Sequence, residues 1–269
     1  MKNILMTIEY DGTNFCGWQR QPNQRSVQGE LEGALSKVSA QPIQINGASR
    51  TDAGVHAYGQ RANFKADFAI PVDRIQLAVN NLLSNSGIRI RETKEVSLDF
   101  HARYNAVGKK YIYRIRNSNE PCIFERNNVY NITKPLNLKF MKEAAKDIVG
   151  THDFKCFQAA GGKELETTVR TILGLKLYEE ELESRHGDCM EKEIIVEILG
   201  DGFLYNMVRI MIGTLVGVGL GKLDPTQIPR IIESKNRQMA GHTAPPQGLY
   251  LAEVYYNKEE MYEKCKGVS

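Results

Sequence analysis

The chain has 269 residues, 42% of them hydrophobic and 25% charged, with 9 prolines and 23 glycines, a composition that excludes a collagenous, mostly disordered or disulfide-dense protein. That length suits one large or two ordinary domains with a real core. The net charge of +3 is uneven, with 16 Lys and Arg against 10 Asp and Glu in residues 1–116, and 19 against 22 in residues 117–269; the positive half permits a polyanionic partner, although ordinary scatter explains the same counts.

Taken in chain order, Asn3 to Tyr10 reads as a strand closed by the turn dipeptide Asp11-Gly12. Ser26 can cap a helix with Val27, Leu31, Leu35 and Val38 on one stripe. A short strand is expected at Ile43 to Ile45, then the polar segment Ser49 to Gly54, then an extended run from Val55 to Phe68. Pro71 opens a second helix, and Ile88 to Val96 closes the half as a strand, giving the ferredoxin-like order β-α-β-β-α-β.

The second half rhymes with the first. Lys109 to Arg116 alternates at strand period, with Tyr111, Tyr113 and Ile115 on one face and Lys110, Ile112, Arg114 and Arg116 on the other. A helix is expected over Leu138 to Val149, stopped by Gly150. Strands follow at Val169 to Glu179 and Lys192 to Leu199, flanking an acidic hairpin (Glu179 to Glu193) that reads as solvated. Helices over Phe203 to Val218 and Pro225 to Ser234 and a strand over Leu249 to Tyr255 complete a second β-α-β-β-α-β. The expected fold class is α+β: two ferredoxin-like, RRM-like halves, residues 1–105 and 106–269, sharing one mostly antiparallel sheet.

The five cysteines (Cys16, Cys122, Cys156, Cys189, Cys265) are widely spaced, and none forms a Cys-x-x-Cys pair. That argues against a disulfide framework or a zinc ribbon, and for reduced thiols in cytoplasm. Met1-Lys2-Asn3 runs straight into strand-like sequence, so no signal peptide is expected. Arg209 interrupts the apolar stretch Phe203 to Leu220, which reads as a helix buried in protein rather than a membrane span.

Three residues could carry chemistry. Asp52 lies in a small-residue, polar connection between strands, where its carboxylate is either an ionised nucleophile or base, or a turn former bonding its own backbone. Arg209 either needs a carboxylate, of which Asp52 is the economical choice, or snorkels to the surface along its apolar stem. Tyr111, with Lys110, Arg114 and Arg116 on the opposite strand face, suits stacking on an unpaired base while the cations meet phosphates; plain strand packing explains it equally well. Weaker signals are His101 and Arg103 in Phe100-His101-Ala102-Arg103, and the polar loop Gly17 to Gln21 with the only Trp. No Walker A, Gly-x-Gly-x-x-Gly, Gly-x-Ser-x-Gly or metal-ligand spacing is present, so cofactor-free and metal-free chemistry, or none, is expected.

Together these segments resemble the tRNA pseudouridine synthase A family. The resemblance rests on Ile8 to Gly12, Gly17 to Gln21, Gly47 to Ala57, Phe100 to Arg103, Lys109 to Tyr113, Gly150 to Phe154, Phe203 to Arg209 and Gly248 to Leu251. Its most specific part is Arg50-Thr51-Asp52-Ala53-Gly54-Val55-His56-Ala57, and Ser49 departs from the glycine frequent before the motif Arg. The resemblance implies the pseudouridine synthase fold with a central active-site cleft, a cytoplasmic homodimer, and isomerisation of uridine to pseudouridine in the anticodon stem-loop of tRNA, at positions 38, 39 and 40. It also implies roles: Asp52 as the essential carboxylate, Tyr111 stacked on the target base, Arg209 paired with Asp52, Leu249 flooring the pocket, and Arg50 entering the space left by an everted nucleotide.

Two other readings compete. A non-catalytic RNA-binding module would share the ferredoxin-like scaffold, but the aromatic RNP1 string of an RRM is missing. A small-molecule lyase or hydrolase using Asp52 with His56 lacks a second carboxylate or nucleophile at a recognisable spacing.

Overall fold

The computed structural model describes residues 1–120, 123–162, 165–182 and 191–267. In chain order the elements are β1 (Lys2–Tyr10), α1 (Val27–Ser39), β2 (Asn46–Gly47), β3 (His56–Ala66), α2 (Val72–Leu82), β4 (Ile88–Val96), β5 (Gly108–Asn117), β6 (Tyr130–Ile132), α3 (Leu138–Lys146), β7 (Gly150–Asp153), β8 (Val169–Leu182), β9 (Glu191–Gly200), α4 (Met207–Gly219), α5 (Ile228–Ser234), β10 (Leu249–Tyr255) and α6 (Lys258–Cys265). They form two compact units: Met1–Val107 with Tyr250–Tyr256, and Gly108–Leu249 with Asn257–Ser269.

In the first unit β1 pairs antiparallel with both β3 and β4, and β2 adds to β3, the 4-1-3-2 order of a ferredoxin-like sheet. β10 joins the same edge in parallel, with Tyr250 beside His56 and Leu251 beside Ala57. Helix α1 starts where its sequence says it should: the Ser26 side chain accepts from Gly29 N, and Val27, Leu31, Ala34 and Leu35 are buried. The strand expected at Ile43 to Ile45 forms one step later, at Asn46–Gly47. Ile43 and Ile45 are buried, but their N–H groups donate to Ser36 Oγ (2.9 Å) and Glu32 Oε1 (3.1 Å) of α1 instead of to a strand.

The second unit has β5 antiparallel to β9, β9 to β8 and β8 to β7, with β6 parallel to the far end of β5. The strands flanking the acidic hairpin pair, and their ladder runs past the expected ends at Glu179 and Lys192 to Leu182 and Glu191, so that Glu193, expected in a solvated hairpin, is buried; the tip, residues 183–190, lies outside the described residues. Helix α3 ends at Lys146, and Gly150, with φ +122°, opens β7 instead of capping the helix. Helix α4 begins at Met207, not Phe203, because Asn206 before it sits in the left-handed region at φ +58°, off any continuous helical path. Every residue of α4 except Arg209 is buried, so its apolar sequence is protein interior. Among the described residues, no helix is long and apolar enough to cross a membrane.

Candidate active site

Asp52 sits in the first unit on the connection between β2 and β3, and its side chain is half-buried. Both flanks of this loop are tied into the sheet. Upstream, the fully buried Gln60 accepts at Oε1 from Ser49 N (3.1 Å) and donates from Nε2 to Ser49 O (2.9 Å), mimicking a missing strand partner. At the next step Thr51 Oγ1 lies 2.7 Å from Tyr10 Oη, and Thr51 O accepts from Trp18 N at 3.0 Å. Downstream, Val55 N donates to Asp52 O at 3.2 Å, and His56 Nδ1 accepts from Gly12 N at 3.0 Å.

Two glycines make this bracing possible. A Cβ on Gly12 would lie 2.1 Å from Val55 O. Gly17 adopts φ +108°, and a Cβ there would lie 2.6 Å from Thr51 O. The Asp11-Gly12 turn and the Gly17-Trp18 loop therefore cradle the backbone on either side of Asp52. Asp11 also lies 3.2 Å from His56 Nδ1. Partial burial raises its carboxyl, but hydrogen bonds from the Thr13 hydroxyl and N–H, with His56, outweigh that and leave it below the ordinary value. Arg50, just upstream of Thr51, is exposed.

His56 is 1% exposed and stacks on Tyr250 at 4.7 Å, while Tyr58 stacks on the same ring at 4.7 Å. Buried and engaged at its ring face, His56 serves the sheet, and this disfavours chemistry shared between His56 and Asp52.

Tyr111, Arg209 and Leu249 belong to the second unit. Tyr111, on β5, is 8% exposed and meets Phe203 edge-on at 5.1 Å and 84°. Arg209 lies in the first turn of α4, half-buried, donating from Nε to Ala244 O and from Nη1 to Asn206 Oδ1, both at 2.8 Å. Its own carbonyl accepts from Ala244 N at 3.0 Å, so residue 244 grips it at both ends. Leu249 is 6% exposed at the start of β10. Next to this group Tyr113 Oη donates to Pro245 O at 2.7 Å; burial and then Tyr130 push its phenol well above the ordinary value, with Arg209 opposing.

The cations expected to meet phosphates from the other face of β5 are committed elsewhere. Arg114 forms a two-pronged pair with Glu193 (2.7 and 2.9 Å), Arg116 pairs with Glu125 and lies 3.9 Å from Glu193, and Lys110 lies 3.0 Å from Glu197. Glu193 and Glu197 stand on the neighbouring strand β9, and Glu193 and Arg116 are 1% and 2% exposed. The neighbouring carboxylates neutralise these cations, and Arg116 and Glu193 are buried while Lys110 and Arg114 are only partly exposed, so the face is poorly suited to binding phosphate.

Asp52 and Arg50 thus share one braced loop, while Tyr111, Arg209 and Leu249 are carried by the other unit. Sequence reasoning missed Gln60, Tyr10, Gly12 and Gly17 as supports of that loop. A polar Gln60 within β3 was one signal, and the segments Ile8 to Gly12 and Gly17 to Gln21 already contained the other three. Among the described residues no group of three or more His, Cys, Asp or Glu side chains is arranged to hold a metal ion.

Residues 6–105 and 144–257 match the family model described as tRNA pseudouridine synthase; Asp52, Arg50, Arg209 and Leu249 fall inside the match and Tyr111 between its two stretches. The chain is 47% identical over 256 residues to the tRNA pseudouridine synthase A of Acetivibrio thermocellus, and 48% identical over 256 residues to that of Ruminiclostridium cellulolyticum. A third relative, the tRNA pseudouridine synthase A of Caldicellulosiruptor saccharolyticus, is 46% identical, and each of the three alignments covers 95% of this chain and 100% of the relative. With the family model matching well over half its residues and relatives this similar along their full length, the chain belongs to the tRNA pseudouridine synthase family.

Proposed function

We propose that this chain isomerises uridine to pseudouridine in the anticodon stem-loop of tRNA, with Asp52 as the catalytic carboxylate. The observation that carries the proposal is the bracing of the Asp52 loop: Gln60, Tyr10, Trp18 and Gly12 engage the backbone or side chains of its neighbours while Asp52 itself is only half-buried. A fixed backbone under an accessible acid is the preorganisation that covalent or general-base chemistry needs.

The reaction breaks the bond from N1 to C1′, turns the uracil and joins C5 to C1′; the C5 proton leaves and N1 takes one up, so no atom is gained or lost overall. Attack on C1′, attack on C6 and removal of a ribose proton all call on an ionised carboxylate in the same place. A base cannot turn inside a duplex, so the uridine leaves the stack at a cost of a few kcal/mol, offset by stacking and phosphate contacts. Under this reading Tyr111 stacks on the everted uracil, Leu249 supports it from below, Arg50 enters the space it left and Arg209 keeps the Asp52 carboxylate ionised. The enzyme works without a cofactor, as a homodimer in the cytoplasm, with tRNA lying across two protomers.

Asp52→Asn tests the reading. Tritium release from C5-labelled uridine in tRNA is expected to fall by on the order of 10³-fold or more while tRNA binding persists; retained release ends the assignment. Arg209→Met is expected to depress turnover more than affinity, and an equal loss of affinity would make Arg209 a backbone contact. A wild-type chain that binds tRNA without releasing tritium would be the RNA-binding module instead.

A further inference from the structure

The motif Phe100 to Arg103 is left without a task by the catalytic reading, yet the first unit goes to some length to hold it. Two buried asparagines, Asn3 (0% exposed) and Asn63 (2%), sit side by side in β1 and β3, with Asn63 Nδ2 donating to Asn3 Oδ1 at 2.9 Å. Asn3 Nδ2 donates to Ser97 O and Phe100 O at 2.7 and 2.9 Å, and Asn63 Oδ1 accepts from Ala102 N at 2.9 Å. Tyr256 Oη donates to Ala102 O at 2.9 Å. Buried amides are destabilising unless satisfied, and here, apart from the bond the two make to each other, the groups that satisfy them belong to the 97–102 segment.

The turn is also closed on itself. Asn105 Oδ1 accepts from His101 N at 2.7 Å, and His101 Nδ1 accepts from Arg103 N at 3.1 Å. On this rigid base stands Tyr104, 77% exposed, its ring 4.3 Å from that of His101 and 6.0 Å from the Arg103 guanidinium carbon. Together with Arg50, Gln19 and Asn46, these three side chains line a polar cleft of about 180 Å³ that shares Arg50 with the catalytic loop. An exposed tyrosine held on a rigid turn, flanked by two arginines, has the parts of a single-nucleotide platform: a π face for a base and cations for the adjoining phosphate.

We propose that the cleft formed by Arg50, His101, Arg103 and Tyr104 binds one unpaired nucleotide of the tRNA strand near the target uridine, its base stacked on Tyr104 and its phosphate met by Arg103. The proposal rests on the assignment of tRNA as substrate and adds a recognition site within the first unit. It needs no chemistry at this cleft, only grip, so its variants act on binding.

Affinity for tRNA is measured in the Asp52→Asn background as a function of salt, alongside tritium release by chains with intact Asp52. Tyr104→Ala is expected to weaken tRNA binding by roughly 5- to 100-fold, the range for loss of one stacked base. Tyr104→Phe, which keeps the ring, should bind like the parent. Arg103→Gln should reduce the slope of log affinity against log salt by about 1, the signature of one lost phosphate contact. In substrate titrations Tyr104→Ala should raise KM with kcat retained, and its thermal unfolding should match the parent because the side chain is exposed. Unchanged affinity in Tyr104→Ala, or an equal loss in Tyr104→Phe, overturns the stacking platform. Equal binding of tRNA and of inorganic polyphosphate of matched charge would reduce the cleft to a charge patch and overturn it too. Failure of wild-type tritium release with these binding effects intact would instead remove the catalytic reading and leave the nucleotide site standing.

Discussion

Tyr10 Oη and Thr51 Oγ1 lie 2.7 Å apart in a buried contact that joins the end of β1 to the residue preceding Asp52. The two positions are 41 residues apart in sequence. Tyr10→Phe removes one hydroxyl from this contact while keeping the ring. The expected loss is about 1 kcal/mol of stability, read as a Tm lower by roughly 2 to 4 °C, with a fall in kcat larger than any change in KM. An unchanged kcat would show that the contact holds the fold and does not position the acid.

Gly17 is the sharper probe of the same support. With φ +108° and Thr51 O only 2.6 Å from where a Cβ would stand, Gly17→Ala must push the Asp52 loop away. Turnover is expected to drop by on the order of 10²-fold, the scale of a misplacement of about 1 Å at a reacting group, while tRNA affinity changes little. Single-turnover tritium release with saturating enzyme measures this directly.

The pairing of Arg114 and Arg116 with Glu193 and Glu125 leads to opposite expectations for stability and for RNA binding. Glu193→Gln strips the carboxylate from between two cations and is expected to destabilise the protein by about 3 kcal/mol in urea titrations. Arg114→Gln, although it removes a positive charge, should leave the salt dependence of tRNA binding unchanged, because that charge is already neutralised within the fold. A slope reduced by about 1 in Arg114→Gln would return this face to the RNA-binding surface.

Cys156 is fully buried, and burial pushes its thiol up to about 12. At pH 8 only about one molecule in 10⁴ carries the thiolate, so alkylation of Cys156 in the native protein should be negligible and should appear only on unfolding. The sign for stability follows: the folded thiol keeps its proton where the unfolded one loses it. The contribution is therefore complete below about pH 8.5 and lost as pH rises from there through about 12. Mass mapping after iodoacetamide treatment, with and without urea, checks both parts; native-state labelling at the unfolded rate would contradict them.

Local sequence was enough for most of the elements. β4 and β10 run over the very residues their patterns predicted, and α1 starts at the Ser26 cap, because strand period, helix period and capping are written in neighbouring residues. The acid loop was legible for the same reason: a run of small and polar residues between two strands reads as an exposed connection bearing Asp52.

What needed tertiary structure was every property that joins residues distant in the chain. A period-2 pattern says that Arg114 and Arg116 share a face of β5, but only the register of β5 on β9 reveals that Glu193 waits there, and so whether those cations are available to RNA. The strand pattern of residues 249–255 likewise says nothing about its neighbour; parallel pairing with β3 is what sets Tyr250 against His56. Gln60, Tyr10, Gly12 and Gly17 look ordinary one by one, and become supports of Asp52 only when packing brings them to the same loop. Sequence alone singled out Asp52 as the candidate acid and pointed to the family the chain belongs to; the tertiary structure decided which side chains brace its loop, because hydrogen bonds and charge pairs form across space and leave no periodic trace along the chain.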